Sequence, residues 1–343
     1  MRILVVNPGS SSLKVSLLDD GLEVPDDGGP YDAIGVRFVH GGDRSEAVRV
    51  SDEVLDDLAK VSDLAPLHNP PALAAARDLA AEHSDVPVVA CFDTGFHATM
   101  PPAASTYALP REWVERWGLR RYGFHGLSHA YASRRAAELL RRPLEQLRIV
   151  TCHLGGGASL CAVRGGRSVD TTMGMTPMEG LVMQTRSGSI DPGLMLHLLR
   201  TRGVTPDELE RVLDRESGLR GLTGTSGDMQ EVQAAVASGS AAAAEGLAVY
   251  VHRLVRETGA MAASLGGLDA LVFTGGVGEH AAGLRRDVVA RLGFLGLGVD
   301  ELLNAEASGD ADVSASGAPG STLVVTARED LEIERQVRAL VGS

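Results

Sequence analysis

The chain has 343 residues, a length that accommodates two domains, each with its own core. Apolar residues make up 44%, with 41 glycines and 15 prolines, a composition that suits a loop-rich α/β protein and excludes a disordered or fibrous one. The net charge of −13 argues against binding nucleic acid through a basic surface, although backbone N–H groups and a few arginines can still form a local anion site.

The first element, RILVVNPGSSSLKVSLLDDG, reads as strand, tight Gly/Ser turn, strand. Its turn closes on Lys14, one of two lysines (with Lys60) among 32 basic residues, which hints at a ligand that prefers a compact ammonium. GVRFVHGG is a strand ending in Arg37 and His40. Helices are predicted over Asp52–Val61 and over Pro71–His83, the second with proline near its start and His68 just before it. VPVVACFD is a buried strand ending in Asp93. RRYGFHGLSH then places His125 and His129 at the start of a helix over Gly126–Leu140.

Near the middle, RIVTCHLGGGASLCAVRGGRSVDTT repeats the opening pattern, with Arg-Ile before the strand and leucine after the small-residue loop. Each unit alone also reads as an ordinary hairpin. Their recurrence points to two related domains, each offering a loop of backbone N–H groups that a ligand can approach closely. VMQTRSGSIDPG exposes Arg186 in a turn-rich loop. A long helix over Ala241–Leu265 follows, then LDALVFTGGVGEH as a strand entering a Gly-rich loop. STLVVTARED is the last strand, leading to a helix over Leu331–Leu340.

Cys91, Cys152 and Cys161 all lie in or beside apolar runs, and an odd count favours reduced core thiols over a disulfide framework. With no basic N-terminal region before a long apolar stretch, and no window of about 18 uncharged apolar residues, the chain is expected in the cytoplasm and off the membrane. His125 and His129 stand four residues apart, but the motif is not H-E-x-x-H and lacks a third ligand, so zinc is not expected.

Arginines and histidines at strand ends describe a phosphoryl-transfer site better than a hydrolytic triad, because such a site needs positive charge around the moving group and little covalent chemistry. There is no G-x-x-x-x-G-K-[ST] segment and no H-R-D or D-F-G, which excludes a P-loop enzyme and a protein kinase.

Four motifs, NPGSSSLK, GFHGLSH, MGMTPMEGLVMQTRSGSIDP and FTGGVGEH, together resemble the acetate/propionate kinase family of the actin-like, sugar-kinase-like superfamily, over almost the whole chain. The resemblance implies an α/β, two-domain actin-like fold, a duplicated ribonuclease H-like unit with mixed sheets. The first domain would span residues 1–95 plus 329–343 and the second 96–328. It implies reversible transfer of the ATP γ-phosphoryl group to a short carboxylate, giving an acyl phosphate and ADP, with Mg2+ or Mn2+.

By motif position, Asn7 and Glu329 would hold the metal, and Lys14 would meet nucleotide phosphate. Arg37 and Arg186 would grip the carboxylate and the phosphoryl group, His125 would stabilise the transition state, and Asp93 would orient or deprotonate. Val39, Leu67, Phe124 and Pro177 would surround the alkyl group. Nucleotide would lie along His153, Leu154, Gly155, Gly156 and Gly157, then Asp228, Met229 and Gln230, then Gly276, Val277, Gly278, Glu279 and His280.

The chain departs from the family pattern at Gly156 and His280, where asparagine is usual, and at Gln230, where arginine is usual. It is also several dozen residues shorter between SLLDDG and GVRFVHGG, so part of the first domain is expected to be missing or simplified. Acetate is the expected acceptor and a homodimer is compatible with the resemblance. A kinase for propionate, butyrate or another short acid stays open, as does a catalytically weakened nucleotide-binding regulator.

Overall fold

The computed structural model describes residues 1–343 except 9–12, 27, 67 and 343. Its core is two mixed six-stranded sheets. The first comprises β1 (Arg2–Pro8), β2 (Leu13–Asp19), β3 (Leu22–Val24), β4 (Ala33–Phe38), β5 (Val48–Arg49) and β6 (Val88–Phe92), in the order β3-β2-β1-β4-β6-β5. The second comprises β7 (Arg148–Leu154), β8 (Ala158–Arg164), β9 (Arg167–Thr171), β10 (Ala270–Thr274), β11 (Ala311–Asp312) and β12 (Ser321–Val324), in the order β11-β12-β10-β7-β8-β9.

The two orders are the same topology. In each sheet an antiparallel hairpin extended by a third strand is followed by two strands parallel to the first, with a short antiparallel strand at the far edge. The sequence echo is therefore a structural duplication: β1–β2 pair from Arg2↔Asp19 to Pro8↔Leu13, and β7–β8 from Arg148↔Arg164 to Leu154↔Ala158. This is the duplicated ribonuclease H-like arrangement of an actin-like fold.

The helices that matter to the site are α1 (Asp52–Lys60), α2 (Asn69–Glu82), α3 (Gly126–Leu140), α4 (Pro192–Thr201), α5 (Met229–Ala237), α6 (Ala241–Leu265), α7 (Gly275–His280) and α8 (Glu329–Val341). Both sheets are covered on both faces, which explains strands that read as unbroken apolar runs. Successive residues of β1 point to opposite faces: Leu4 and Val6 join Leu58 of α1 and Ala76 of α2, while Ile3 and Val5 join Ile333 and Val337 of α8. In the second sheet Ile149 and Val272 meet Ala132 and Ala136 of α3, and Val150 and Phe273 meet Val251 and Leu254 of α6.

α8 thus returns the end of the chain to the first sheet, and it also packs against α3. Gly35 permits the close approach, since a Cβ there would lie 2.5 Å from Ile333 Cγ2. The cysteines are buried free thiols. Among the described residues no helix is long and apolar enough to cross a membrane.

Several boundaries differ from expectation. α2 starts at Asn69 because two prolines fit a first helical turn, where no N–H bond is lost. The segment after β10 is a short helix, α7, and not a loop. Gly275 turns strand directly into helix at φ +77°, where a Cβ would crowd the carbonyl of Leu154. α8 starts at Glu329, two residues early, with acidic side chains in its first turn suiting the helix dipole. β3 ends at Val24 and β4 begins at Ala33. The first sheet keeps the full strand order of the second.

Candidate active site

The parallel strands of both sheets deliver their carboxyl ends to one cleft, the usual ligand-binding edge of such sheets. β1 brings Asn7, β4 brings Arg37 and β6 leads into Asp93. From the other sheet β7 brings His153, β10 leads into Gly275 and Gly276, and the segment after β12 leads to Glu329.

Arg37 is the hub. Its Nε and Nη2 donate to the two carboxylate oxygens of Asp93 at 2.9 and 2.6 Å, and its Nη1 donates to Asn7 Oδ1 at 3.0 Å and Glu329 Oε2 at 2.9 Å. Asn7 Nδ2 also donates to Glu329 Oε2, at 2.9 Å. Burial pulls the guanidinium toward neutrality, but Asp93 and Glu329 outweigh it and hold the pKa above its ordinary value. Burial raises the Asp93 carboxyl against the pull of Arg37, whereas at Glu329 the cation of Arg37, with His153 and Asn7, overcomes burial and keeps the carboxyl low.

His125 caps the start of α3 in a left-handed conformation, φ 56°. Its Nδ1 is 2.9 Å from Ser159 Oγ, and its ring stacks on His153 at 4.3 Å. Burial first, then His153 and Arg37, push its pKa well below the usual imidazole value, so the ring is neutral near pH 7. Arg186 comes from the opposite wall, its Nε donating to Asp214 Oδ1 at 3.0 Å and its Nη1 to the Pro177 carbonyl at 3.2 Å.

Arg37, Asp93, His125 and Arg186 all line one cavity of about 240 Å3, together with Val39, Phe124 and Pro177. Leu67 lies outside the described residues. A second cavity of about 510 Å3 holds Asn7, Lys14, His153 and Glu329 and shares Arg37 and His125 with the first. A third, of about 260 Å3, is lined by Gly155, Gly156, Asp228, Met229 and Gln230 on one side and Gly276, Val277 and His280 on the other. Gly156 belongs to the first and third cavities and Gly276 to the second and third, so the three form one continuous cleft.

Some residues of the expected nucleotide segments do not line the third cavity. Leu154 is fully buried core, and Gly157 borders the cavity of Arg186. Gly278 is buried against Phe273, and the Glu279 carboxylate accepts from the backbone N–H of Ala327 at 3.0 Å. Asp228 borders the third cavity while its carboxylate caps α5, accepting from Gln230 N at 2.9 Å. For Gly278 and Glu279 the reason is geometric: α7 is helical, so only one side of its six residues can face the cleft.

Sequence reasoning named His68 only as a helix-start residue, yet it lines the cavity beside Arg37 and Arg186, its pKa lowered to about 4 by burial and then by those two cations. Asp214, in the π-helical segment Val212–Glu216, and Ser159, one residue into β8, carried no signal, because their importance depends on contacts 28 and 34 residues away in sequence.

A sequence model of the Acetokinase family matches residues 22–335. The chain is 52% identical over 301 residues to an acetate kinase of Synechococcus sp. (strain JA-2-3B'a(2-13)), covering 88% of this chain and 74% of that protein. It is 51% identical over 317 residues to an acetate kinase of Clavibacter sepedonicus, covering 92% and 80%. The fold superposes on the crystal structure of Porphyromonas gingivalis acetate kinase with a TM-score of 0.91 at 33% identity, covering 99% of both chains. A propionate kinase from Francisella tularensis gives 0.90 at 32% identity, covering 98% of this chain and 99% of that one. With the match spanning both sheets and the cleft between them, the chain belongs to the acetokinase family.

Proposed function

We propose that the protein catalyses reversible transfer of the ATP γ-phosphoryl group to acetate, giving acetyl phosphate and ADP. The observation that carries this reading is the cavity in which two guanidinium groups, Arg37 and Arg186, and the His125 imidazole meet the apolar side chains of Val39, Phe124 and Pro177. Such a cavity suits a small carboxylate with a short alkyl group beside a phosphoryl group.

In the forward direction a carboxylate oxygen forms a bond to the γ-phosphorus as the bond from that phosphorus to the β–γ bridging oxygen breaks, and ADP carries away the electron pair. Acetate is already ionised near pH 7, so no base is needed. The difficulty is bringing two anions together, and Arg37 and Arg186 offset that repulsion. Asp93 orients Arg37 through its bidentate pair. His125, neutral, donates to a phosphoryl oxygen. The glycine loop Gly155–Gly157 and the start of α7 would receive the nucleotide, with Lys14 at its phosphates.

Asn7 and Glu329 would hold the divalent cation. Their oxygens suit it chemically, since Mg2+ takes one or two protein oxygen ligands alongside phosphate and water, and Mn2+ accepts the same donors. The two oxygens also converge, both lying within 3.0 Å of Arg37 Nη1, a single cationic point. When bound, the ion would draw charge from the β- and γ-phosphate oxygens.

The reading divides the chain into residues 1–95 plus 329–343 and residues 96–328, supported by the packing of α8 on the first sheet. It extends to a homodimer, supported by α4, which has no buried residue and exposes Leu194 and Leu196. Use of ATP goes with a cytoplasmic enzyme. The test is a hydroxylamine trap for acyl phosphate across C2 to C4 acids with ATP and Mg2+. Absence of acyl phosphate from every acid would refute it and leave the nucleotide-binding regulator.

A further inference from the structure

Behind His125 lies a line of buried polar groups that the phosphoryl-transfer chemistry does not itself use. Ser159 Oγ is 2.9 Å from His125 Nδ1 and 2.8 Å from His129 Nε2, and His129 Nδ1 is 2.7 Å from Thr151 Oγ1. Ser159, His129 and Thr151 are fully buried. The opposite edge of His125 faces the cleft: a Cβ on Gly157 would lie 3.2 Å from His125 Nε2 and 3.4 Å from Arg186 Nη1. Whether that edge offers a proton or a lone pair therefore depends on the buried line behind it.

Proton counting leaves two arrangements. Burial pushes both imidazoles far below their ordinary pKa, so each carries one ring proton. The Ser159 hydroxyl has one proton to donate and can give it to only one ring. If it goes to His129 Nε2, then His129 donates from Nδ1 to Thr151, and the Thr151 proton is left to the Cys161 carbonyl at 3.5 Å, the limit of a hydrogen bond. If it goes to His125 Nδ1, then His129 donates from Nε2 to Ser159 and accepts from Thr151 at Nδ1. All three short contacts are then complete hydrogen bonds and no buried donor is stranded.

We infer that His129, acting through Ser159, is a positioning residue that holds His125 with its Nδ1 occupied and its Nε2–H aimed into the cleft as a donor. The purpose of this device rests on the phosphoryl-transfer reading, while its geometry does not. A phosphoryl oxygen carries only lone pairs, so an imidazole presenting a bare nitrogen would repel it and one presenting N–H stabilises it. The line also supports the ring of a residue already committed to a left-handed backbone.

The decisive measurement is the tautomer, read on the ligand-free full-length protein by long-range 15N–1H correlation of the histidine side chains, with His125→Gln and His129→Gln used to assign the signals. His125 and His129 are both expected as the Nε2–H form. A proton on His125 Nδ1 overturns the inference, whatever the enzyme's activity. The kinetic arm uses acetyl phosphate formation. Ser159→Ala is expected to lower kcat about 10-fold with the KM for acetate changed less than about 3-fold, on the scale for losing a group that orients an imidazole.

His129→Met is expected to do the same, whereas His129→Gln, whose amide can both donate to Ser159 and accept from Thr151, recovers most of the loss. Unchanged kcat in Ser159→Ala, or equal losses in His129→Met and His129→Gln with both folded by thermal melt, overturns it. Should His129→Met fail to fold, the tautomer and Ser159→Ala decide alone. Total inactivity of the parent protein would refute the functional reading and leave the tautomer result standing.

Discussion

Arg37 Nη1 donates to Glu329 Oε2 at 2.9 Å, joining the fourth strand to the first residue of the last helix. The same guanidinium neutralises Asp93, whose side chain is 1% exposed. Arg37 is therefore a structural ion as well as a charge in the cleft, and Arg186 is less so, since its partner Asp214 is 22% exposed. Arg186→Ala is expected to lower kcat by about 10²–10³ with little change in melting temperature. Arg37→Ala is expected to lose as much activity and also about 3–5 kcal/mol of stability, because it strands buried carboxylates. Parallel activity assays and thermal melts at one pH test the contrast, and equal melting temperatures for the two variants would defeat it.

His97 predicts an acid sensitivity. It is fully buried between Ser168 Oγ and the Phe124 carbonyl, each at 2.9 Å, directly behind the residue that precedes His125. Burial lowers its pKa to about 4. The unfolded chain, with a pKa near 6.5, binds the proton first, so this contribution is fully present above pH 6.5 and is lost as pH falls toward 4. It amounts to about 3 kcal/mol for a fully buried group. Urea midpoints measured from pH 7 to pH 4.5 should fall, and His97→Gln should flatten that slope. An unchanged slope in a folded His97→Gln would show that His97 is not the cause.

The duplicated sheet was legible because β1–β2 and β7–β8 share a pattern of Arg-Ile, a largely apolar strand, a small-residue loop and a leucine after it. Arg37, Asp93, His125 and Arg186 were legible because each ends or follows a strong local motif. α7 was misread as a loop because three glycines within GGVGEH argue against helix by propensity, and tertiary contacts of Gly275 and Gly278 override it. Ser159, Asp214 and the Arg37–Glu329 pair depend on residues remote in sequence, and no local period encodes such partners. The role of Glu279 was hidden for the same reason: its carboxylate serves the backbone of Ala327.

As the proposed acceptor site, the cavity of Arg37 and Arg186 would set the substrate range. Its apolar side chains, Val39, Phe124 and Pro177, discriminate by size only, at about 1–3 kcal/mol per methylene. Acetate and propionate should have kcat/KM values within about two orders of magnitude of each other. Dicarboxylates should be inert, because a second carboxylate would be buried against those side chains without a partner. Phosphorylation of succinate at a rate near that of acetate would contradict this account.

On the proposed reading the third cavity would receive the nucleoside of the phosphoryl donor. Its volume of about 260 Å3 is bordered by three glutamines, Gln184, Gln230 and Gln233, and by His280, with no arginine or lysine among the described residues that line it. A glutamine amide both donates and accepts, and can rotate to meet the purine edge of adenine or of guanine. An arginine in place of Gln230 would only donate and would offer a flat face for stacking on one preferred base. Gly156 likewise supplies no side-chain amide toward phosphate, although its backbone still borders the acceptor and donor cavities. The cavity of Asn7, Lys14 and Glu329, proposed to receive the phosphates, would meet a group that all nucleoside triphosphates share. ATP and GTP should therefore differ in kcat/KM by less than about 10-fold, which is about 1.4 kcal/mol. Gln230→Arg should widen that ratio while leaving the KM for acetate unchanged, because Gln230 does not border the acceptor cavity. Steady-state kinetics with ATP, GTP and pyrophosphate at fixed acetate provide the test. A strict ATP preference would refute relaxed base recognition, and activity with pyrophosphate alone would refute the nucleotide assignment.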